Sequence, residues 1–503
     1  MKIKLFKIKN YKAFYGEHTL NFGGKNVFIY GENGSGKSSL YYALKDFFQS
    51  SVENIDFSKT ENIFLTNAKK GKGLLEVTFN PDKNNQNLDA VYYVKPNRKN
   101  TYTSNDTSIR DAVKIKSFLN YKSLLEIHFI KKNGKINLFD LLVNGVLKHY
   151  RSAVITGGVE LGELWQNVES SISRPLQGST YNITRKKADV NSAVQAFNSA
   201  FQKLFQRGSV ENIVNFAQPI LDRFEHNIEI ELHFPSVIPN ANYTEIERKE
   251  VNITVKYLGR QIPDPHLFLN EARLSAIAVS IYLGMVKRHV QGIPCKVLFL
   301  DDLFIGLDIS NRLPLLKILD SDFSNYQIII TTYDKPWYEF VKNIFLLRNN
   351  HWKTFEFLTG RTKKGFTIPV IRDYPNTSRN IFIDTYIQTG ENYFNNGDNK
   401  AAGVYLRKAF EAILKNFCFN KVPIKFVPDS SKLMSKDFWD AVKNYASSYP
   451  NVQLTTQTIS NIDYLISLVL NPLSHNDVNK YEHTNEIRLA ISTLRNLKAE
   501  LNV

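Results

Sequence analysis

One short glycine-rich segment constrains this chain more than any other feature of its sequence. Residues 31–38 read Gly-Glu-Asn-Gly-Ser-Gly-Lys-Ser, directly after the apolar run 26–30. Residues 39–48 then show the apolar spacing of a helix. The pattern G-x-x-x-x-G-K-S between a strand and a helix is typical of a phosphate-binding loop. Its glycines let backbone N–H groups turn inward around a phosphate, and the helix N-terminus adds a partial positive charge.

The last two residues of this segment have the chemistry that a bound triphosphate needs. Lys37 is expected to reach the β- and γ-phosphates, and Ser38 to offer its hydroxyl to Mg²⁺. The alternative is a glycine-rich turn that fits the pattern by chance. The strand before it and the helix after it argue against that alternative.

The composition is that of an ordinary soluble protein with more than one domain. Its 503 residues suggest two to four domains. No apolar run approaches the ~18 residues that a membrane span needs, and residues 1–6 read as a strand rather than a signal peptide. Cys295 and Cys418 are the only cysteines, so neither a disulfide framework nor a C-x-x-C metal site is expected. The predicted location is the cytoplasm.

The net charge of +16 lies almost entirely within residues 1–379. Such an excess is typical of a protein that binds a polyanion, because neutralised phosphates release counterions. The alternative is a surface of solvated lysine in a sequence where Lys, Asn, Ile and Tyr are all plentiful. Composition leaves both interpretations open.

Hydrophobic periodicity predicts strands and helices in alternation over the first part of the chain. The predicted strands before residue 260 span 2–8, 17–22, 26–30, 73–79, 90–94, 228–234 and 250–257. Helices are predicted at about 138–168 and 190–224, as an insertion at about 138–225. The polar segments 97–111 and 178–187 are expected to be flexible. No heptad pattern long enough for a coiled-coil arm is present.

A denser apolar block follows, with a helix predicted over 268–290 and strands over 296–302 and 327–334. Continuous apolar strands fit a parallel sheet covered on both faces. The first of these strands ends in Asp301 and Asp302. Asp301 is expected to hold the Mg²⁺ shell, and Asp302 to orient or deprotonate the attacking water.

Over residues 1–372 the chain resembles ABC-type ATPases of the RecF/SMC group, with an α/β fold. The resemblance rests on the opening strands, the phosphate loop and the helix that begins Leu-Asn-Glu-Ala-Arg-Leu-Ser at residue 269. It implies ATP and Mg²⁺ as cofactors and assigns nucleotide contacts to seven consecutive residues, Asn33, Gly34, Ser35, Gly36, Lys37, Ser38 and Ser39.

The resemblance also implies a head-to-tail homodimer that shares two ATP molecules. Residues 269–273 match the signature segment, which in this group caps the γ-phosphate held by the opposite subunit. Asn270, Glu271 and Ala272 are thereby implied as nucleotide contacts, with Asn270 in place of the usual Ser and Ala272 in place of a usual Gly. Asp308 matches the acid of the D-loop that crosses the dimer interface.

Three further positions depart from the pattern of the group or match it only in part. Asp302 stands where a Glu is common, which could slow hydrolysis. Tyr333 and Asp334 stand where the group often has a switch His, which leaves the γ-phosphate sensor open. Residues 118–122 match the position of the Q-loop, and the start of an ordinary helix is an equally good interpretation.

From about residue 374 the sequence predicts a small all-helical domain, 380–503. Its predicted helices span 382–394, 400–419, 435–448, 456–470 and 483–502. Arg407 and Glu411 share one helix face, and His475 lies in a break after a helix. The simple interpretation is an i, i+4 ion pair and a histidine in a turn.

The same three residues resemble the HEPN-type anticodon nucleases of PrrC and RloC. In such ribonucleases Arg, Glu and His act on RNA without a metal, so Arg407, Glu411 and His475 would be catalytic here. The commoner HEPN motif and the zinc-hook cysteines of RloC are absent from this sequence.

As a whole, the arrangement is similar to the PtuA-type ATPase subunits of Septu and retron-associated anti-phage systems. That similarity implies an HNH nuclease partner, nucleic acid (DNA, msDNA or tRNA) as a ligand, and a switch that controls a nuclease. Two alternatives remain open at this point. One is a RecF-like DNA repair ATPase, and the other is an ATP-driven scaffold whose tail only docks proteins.

Overall fold

The computed structural model divides the chain into two compact units, Met1–Tyr374 and Pro375–Val503. The described residues are 1–80, 90–95, 107–114, 117–120, 137–151, 158–174, 180–289, 293–344, 351–374, 380–422, 434–449, 452–471 and 484–503.

A six-stranded sheet forms the centre of the N-terminal unit, in the order β15-β14-β3-β13-β12-β6. Its strands are β3 (Asn26–Gly31), β6 (Phe118–Asn120), β12 (Val297–Asp301), β13 (Gln327–Thr332), β14 (Trp352–Arg361) and β15 (Thr367–Tyr374). All are parallel except β15, which forms an antiparallel hairpin with β14. Every residue of β3, β12 and β13 is buried, as strands covered on both faces require. The predicted parallel sheet is confirmed.

A second, antiparallel sheet has the order β2-β1-β4-β5. Its strands are β1 (Ile3–Tyr11), β2 (Phe14–Asn21), β4 (Leu74–Phe79) and β5 (Ala90–Val94). Helix α1 (Lys37–Gln49) packs between the two sheets, because Leu44 and Phe47 share one buried cluster with Phe6 and Ile29. This packing fixes α1 directly behind the end of β3.

The middle of the N-terminal unit is a helical layer with a small third sheet. Its helices are α3 (Leu161–Ser173), α4 (Thr180–Gln202) and α5 (Val214–Asp222), with a π-helical turn at Leu141–Val146. Helix α2 (Thr107–Lys114) packs against α1 instead, because Ile109 shares a buried cluster with Leu44 and Phe47. The third sheet holds β7 (Ile228–His233), β10 (Asn252–Tyr257) and β11 (Arg260–Ile262), and a separate two-residue pair holds β8 (Ile238–Pro239) and β9 (Ile246–Glu247).

Three sequence predictions in this layer are wrong. The helix predicted over 138–168 is interrupted, because Gly145 adopts φ −105° and ψ −109°, which no helix contains. The helix predicted over 190–224 breaks after residue 202, and Gly208 lies in the turn with φ 80°. The segment 178–187 is not a loop throughout, since α4 begins at Thr180.

Three helices pack on the face of β12 and β13 that is opposite to α1: α6 (Glu271–His289), α7 (Ile309–Asp322) and α8 (Lys335–Ile344). A single helical turn, Pro265–Phe268, precedes α6. All thirteen residues of α6 from Leu274 to Val286 are buried, so the core encloses this helix on nearly all sides.

The C-terminal unit is helical throughout its described residues. Its helices are α9 (Asn380–Asn395), α10 (Asn399–Lys421), α11 (Ser435–Ser448), α12 (Thr456–Leu465, extended by a π-helical turn to Leu470) and α13 (Thr484–Glu500). Phe410 on α10, Trp439 on α11 and Leu494 on α13 belong to one buried core. The five predicted helices are confirmed to within a few residues.

The described residues contain neither a membrane-spanning helix nor a cluster of metal-binding side chains. None of their helices is long and apolar enough to cross a membrane. In the same residues no group of three or more His, Cys, Asp or Glu side chains could hold a metal ion. Cys295 and Cys418 are both buried, and they form no disulfide with each other.

Candidate nucleotide site

The glycine-rich loop leaves β3 at Gly31 and enters α1 at Lys37. Gly34 and Gly36 have φ of 82° and 101°, a conformation that side chains disfavour. At Gly36 a β-carbon would also lie 2.8 Å from Cγ of Pro369. The loop therefore needs glycine at this position for two reasons, the backbone angle and the space.

The Lys37 side chain is buried, with 4% of its surface exposed. Its ammonium donates to the carbonyl oxygens of Gly31, at 2.7 Å, and Glu32, at 3.2 Å. It also lies 3.7 Å from Oδ2 of Asp302. The cation is thus held inside its own loop and beside the acid pair that ends β12.

Asp301 is held by contacts from two other elements. Its Oδ1 accepts a hydrogen bond of 2.6 Å from the hydroxyl of Thr331 on β13. Burial raises the pKa of Asp301, while side-chain hydrogen bonds from Thr331 and Ser38 oppose the rise. Ser38 and Asp301 therefore meet at the end of the loop, as two oxygen ligands of one Mg²⁺ would have to.

Asp302 differs from its neighbour in backbone and in environment. Its φ of 51° is in the left-handed region, and its amide donates to the Thr331 hydroxyl at 3.0 Å. Burial raises the pKa of Asp302 to about 6, with Lys37 lowering it and the charge of Asp301 raising it. Its Oδ1 is buried and has no hydrogen-bond partner among the described residues.

Buried oxygens without hydrogen-bond partners show whether Mg²⁺ and ATP fit the site. One is Oδ1 of Asp302. A second buried oxygen without a partner in the described part of the chain is the hydroxyl of Ser35, inside the loop. Buried polar atoms are normally satisfied, so two unsatisfied oxygens beside one buried ammonium indicate a site that receives polar ligands. The oxygen donors of Ser38 and Asp301 are the kind that Mg²⁺ prefers. The residues present fit both cofactors.

The Q-loop position lies on an edge strand. Residues 118–120 form β6, which pairs with β12 so that Asn120 lies opposite Asp301. The Tyr41 hydroxyl on α1 donates to the Phe118 carbonyl at 3.0 Å. The alternative prediction of a helix start is wrong for these residues. The rest of that segment, residues 121–122, lies outside the described residues.

The signature segment begins α6. Asn270 is exposed, and its Oδ1 accepts from the Arg273 amide at 3.0 Å, so it caps the helix. Glu271 is exposed in the first turn, and Ala272 is half-buried. Phe268, just before the segment, is 62% exposed. The helix N-terminus is therefore open to solvent.

Asp308, the acid of the D-loop, caps the N-terminus of α7 as Asn270 caps that of α6. Asp308 is exposed and accepts from the Asn311 amide at 3.0 Å. Arg312, one turn along, donates to the Leu307 carbonyl at 2.8 Å and to Oδ2 of Asp334 at 2.6 Å. Burial raises the pKa of Asp334, but the Trp337 amide and Arg312 outweigh it and lower that pKa overall. Asp334 is thus committed to Arg312, whereas Tyr333 beside it is 44% exposed.

In the C-terminal unit, the predicted pair on α10 is formed. Nε of Arg407 donates to Oε1 of Glu411 at 3.1 Å, and Ser435 donates to the same oxygen at 3.4 Å. A second Arg407 nitrogen donates to the Leu470 carbonyl at 3.4 Å. Arg407 and Glu411 line a cleft of about 410 Å³ that reaches Asn471. His475 lies outside the described residues.

The structure brings together Lys37, Ser38, Asp301 and Asp302. Asn270 and Asp308 instead face solvent at the starts of two other helices. Sequence reasoning missed Thr331 and Arg312. Thr331 could have been suspected because it directly follows the apolar run 328–330 of β13, whereas nothing in the sequence connects Arg312 with Asp334.

The family described as RecF/RecN/SMC N terminal domain matches residues 2–354. Among solved structures, the SmcHead bound to the C-winged helix domain of ScpA is 11% identical, with a TM-score of 0.41, and the match covers 75% of this chain and 98% of that one.

A second solved structure is the Smc head domain with an extended coiled coil bound to the C-terminal domain of ScpA, derived from Pyrococcus furiosus. It is 13% identical, with a TM-score of 0.42, and the match covers 74% of this chain and 96% of that one. A search of curated proteins found no match. On the family match over residues 2–354, the chain belongs to the RecF/RecN/SMC N-terminal domain family, a family of ATPases with this α/β head fold.

Proposed function

We propose that the chain is an Mg²⁺-dependent ATPase whose two copies pair around shared ATP, and that this pairing controls a nuclease. The observation that carries the ATPase part is the cluster of Lys37, Ser38, Asp301 and Asp302 at the ends of β3 and β12. In it a buried ammonium lies 3.7 Å from one carboxylate, and a second carboxylate meets the loop hydroxyl.

Each residue of the cluster has a distinct task in this proposal. Lys37 leaves its loop carbonyls to bind the β- and γ-phosphates, and the loop amides bind the phosphate oxygens. Ser38 and Asp301 would hold Mg²⁺, which neutralises phosphate charge when bound. Asp302, whose Oδ1 has no partner in the described residues, orients and deprotonates the attacking water.

The second copy supplies the remaining contacts. Asn270, Glu271, Ala272 and Asp308 belong to two exposed helix N-termini, where amides and partial positive charge favour an anion. The proposal places these termini on the ATP held by the partner. Binding of ATP then closes the pair, and hydrolysis reopens it.

Replacement of the loop lysine tests the ATPase assignment. Lys37→Ala removes the cation and should lower the ATPase rate at least about 100-fold and weaken ATP binding. Lys45→Ala, on the same helix α1 but away from the loop, is the matched control and should leave both unchanged. Full ATPase activity in Lys37→Ala would overturn the assignment.

The nucleic-acid part of the proposal is supported by a basic surface formed by two distant segments. Phe64 stacks on Phe366 with ring centres 4.6 Å apart, and Tyr15 packs edge-on against Phe366 at 5.7 Å. These contacts place two groups of exposed cations side by side. The basic surface consists of Lys69, Lys70, Lys72, Arg361, Lys363 and Lys364.

The proposal has two forms, which differ in the nuclease that ATP-dependent pairing controls. The Arg407–Glu411 pair in its cleft supports a ribonuclease site in the tail, completed by His475. The other form of the proposal is a PtuA-like subunit of an anti-phage system, with a bound HNH nuclease. Total tRNA incubated with the protein and ATP separates them, because only the first form predicts cleavage without a partner.

The matched variants for that assay lie next to each other on α10. Arg407→Ala should abolish tRNA cleavage, and Lys408→Ala, exposed on the same helix, should not. Cleavage that survives both Arg407→Ala and His475→Ala would contradict a tail nuclease. Intact tRNA with the wild-type protein would favour a partner nuclease, a repair factor or a scaffold.

A further inference from the structure

We infer that His226 is a positioning residue that fixes the signature helix relative to the D-loop helix. The inference rests on the proposed function, because it concerns how Asn270 and Asp308 reach the same ATP of the partner. Both segments must keep a constant spacing if one nucleotide is to contact both. His226 belongs to neither segment; it hydrogen-bonds to the helix of one and is affected by a charge on the other.

The direct contact is with α7. A ring nitrogen of His226, Nε2, lies 2.7 Å from Oδ1 of Asn311, whose side chain is buried. The backbone amide of the same Asn311 donates to Asp308. A single residue therefore joins His226 on one side to the D-loop acid on the other.

The link to the start of α6 is electrostatic. Burial lowers the pKa of His226, and the charge of Arg273 lowers it too, while the hydrogen bond with Asn311 and the charge of Asp308 act against them. Arg273 is the residue whose amide Asn270 caps. His226 thus lies within reach of charges from both segments.

The backbone holds His226 in this place. The residues on either side, Glu225 and Asn227, have φ of 57° and 53°, which non-glycine residues seldom adopt. The ring also stacks on Phe224, with centres 6.2 Å apart and planes 10° apart. A left-handed backbone at both neighbours of one residue persists only where the surrounding structure holds it in place.

The helix before this turn is fixed to the signature helix. A β-carbon at Gly284 on α6 would lie 2.7 Å from the Ala217 amide nitrogen on α5, so the two helices are in backbone contact. Movement of α6 is therefore transmitted through α5 to the turn with His226 and from there to Asn311. No charge on His226 is needed, because a neutral ring can donate to Oδ1 of Asn311.

Two substitutions at one position test the inference. His226→Phe keeps a ring that can stack on Phe224 but loses the hydrogen bond, and His226→Gln keeps a side-chain donor. ATP binding by dilute, unpaired protein should be unchanged in both variants. Pairing in Mg²⁺ and ATP should be about tenfold weaker for His226→Phe, the effect of one lost hydrogen bond, and near wild type for His226→Gln.

Measuring ATP binding and pairing separately distinguishes a positioning role of His226 from a general role in stability. A merely structural role would lower ATP binding and pairing together, or would not be rescued by Gln. Asn311→Leu removes the same hydrogen bond by changing its other partner, and it should weaken pairing by a similar factor. It replaces His226→Phe as the test variant if that variant does not fold. Pairing as tight as wild type in the variant that lacks the hydrogen bond would overturn the inference.

Failure of the inference can be told from failure of the proposed function. If the wild-type protein does not pair in ATP, the proposed function fails and the inference falls with it. If the wild type pairs and the His226→Phe and Asn311→Leu variants pair equally well, only the inference is wrong.

Discussion

At the scale of single residues, the two neighbouring acids of β12 have different environments. Asp301 is satisfied by hydroxyls from two other elements, whereas Asp302 has a buried oxygen with no partner in the described chain. A carboxylate that already accepts hydrogen bonds suits a fixed ligand role. One with a free, buried oxygen beside a lysine suits a base, because desolvation raises its proton affinity.

Removal of the base should separate ATP binding from hydrolysis. Asp302→Asn keeps the size of the side chain but cannot take a proton, so we expect the hydrolysis rate to fall at least about 100-fold with ATP still bound. The rate is measured by phosphate release and binding by a fluorescent nucleotide. Asp322→Asn, an acid on α7 far along the helix from Asp308, is the control. Wild-type turnover in Asp302→Asn would contradict the base assignment.

The pH dependence of hydrolysis follows from the same residue. The raised pKa of about 6 means that Asp302 is protonated, and inactive as a base, below that pH. We expect kcat/KM for ATP to fall as the pH decreases through about 6, and to be flat above about 7. A profile that stays flat down to pH 5, with ATP binding intact, would rule out Asp302 as the titrating base.

At the scale of elements, the sequence predicts the central sheet and the loop well because local signals and burial agree there. The runs of β3, β12 and β13 are apolar on both faces, and the glycine spacing fixes the turn into α1. The layer at 138–224 was less predictable. There Gly145 and Gly208 interrupt apolar patterns that a continuous helix would also produce.

In the nucleotide site, too, contiguous motifs could be predicted from the sequence, whereas contacts between distant residues could not. The loop and the acid pair are each contiguous in sequence, so their roles could be predicted from spacing. The contacts of Thr331 with Asp301 and of Arg312 with Asp334 join separate elements. Only the folded sheet brings these residues together, and no local pattern encodes them.

The conformation of the loop makes a specific prediction about its last glycine. Gly36→Ala forces a β-carbon to φ 101° and to 2.8 Å from Pro369, so we expect loss of ATP binding and about 1–3 kcal/mol of stability. Gly208→Ala is the control, because its φ is 80° but no atom lies within 4 Å of its β-carbon. Thermal and denaturant unfolding measure the difference. Equal stabilities of the two variants would show that contact with Pro369 is unimportant.

At the scale of the whole molecule, two basic segments that are distant in the sequence meet on one surface. The basic surface joins the 69–72 segment to the turn of the β14–β15 hairpin, and Pro369 on the same hairpin approaches Gly36 of the phosphate loop. One hairpin therefore connects the basic surface with the phosphate loop. This arrangement supports an ATPase whose state depends on nucleic acid.

Charge reversal tests that arrangement. Lys363→Glu combined with Lys364→Glu should weaken binding of a fluorescent oligonucleotide about tenfold and reduce the dependence of affinity on salt. Arg185→Glu combined with Lys187→Glu changes the net charge equally, at exposed positions of α4, and should have a smaller effect. Equal losses in both pairs would mean that overall charge, rather than the basic surface, determines binding.

The account depends most on the claim that ATP joins two copies of the chain through the phosphate loop of one and the Asn270 helix of the other. Sedimentation of Asp302→Asn, which should bind ATP without hydrolysing it, measures this directly. We predict that the molecular mass doubles when Mg²⁺ and ATP are added, and that Asn270→Arg, placed in the same protein, prevents the doubling. A mass that does not change with saturating ATP would contradict the central claim.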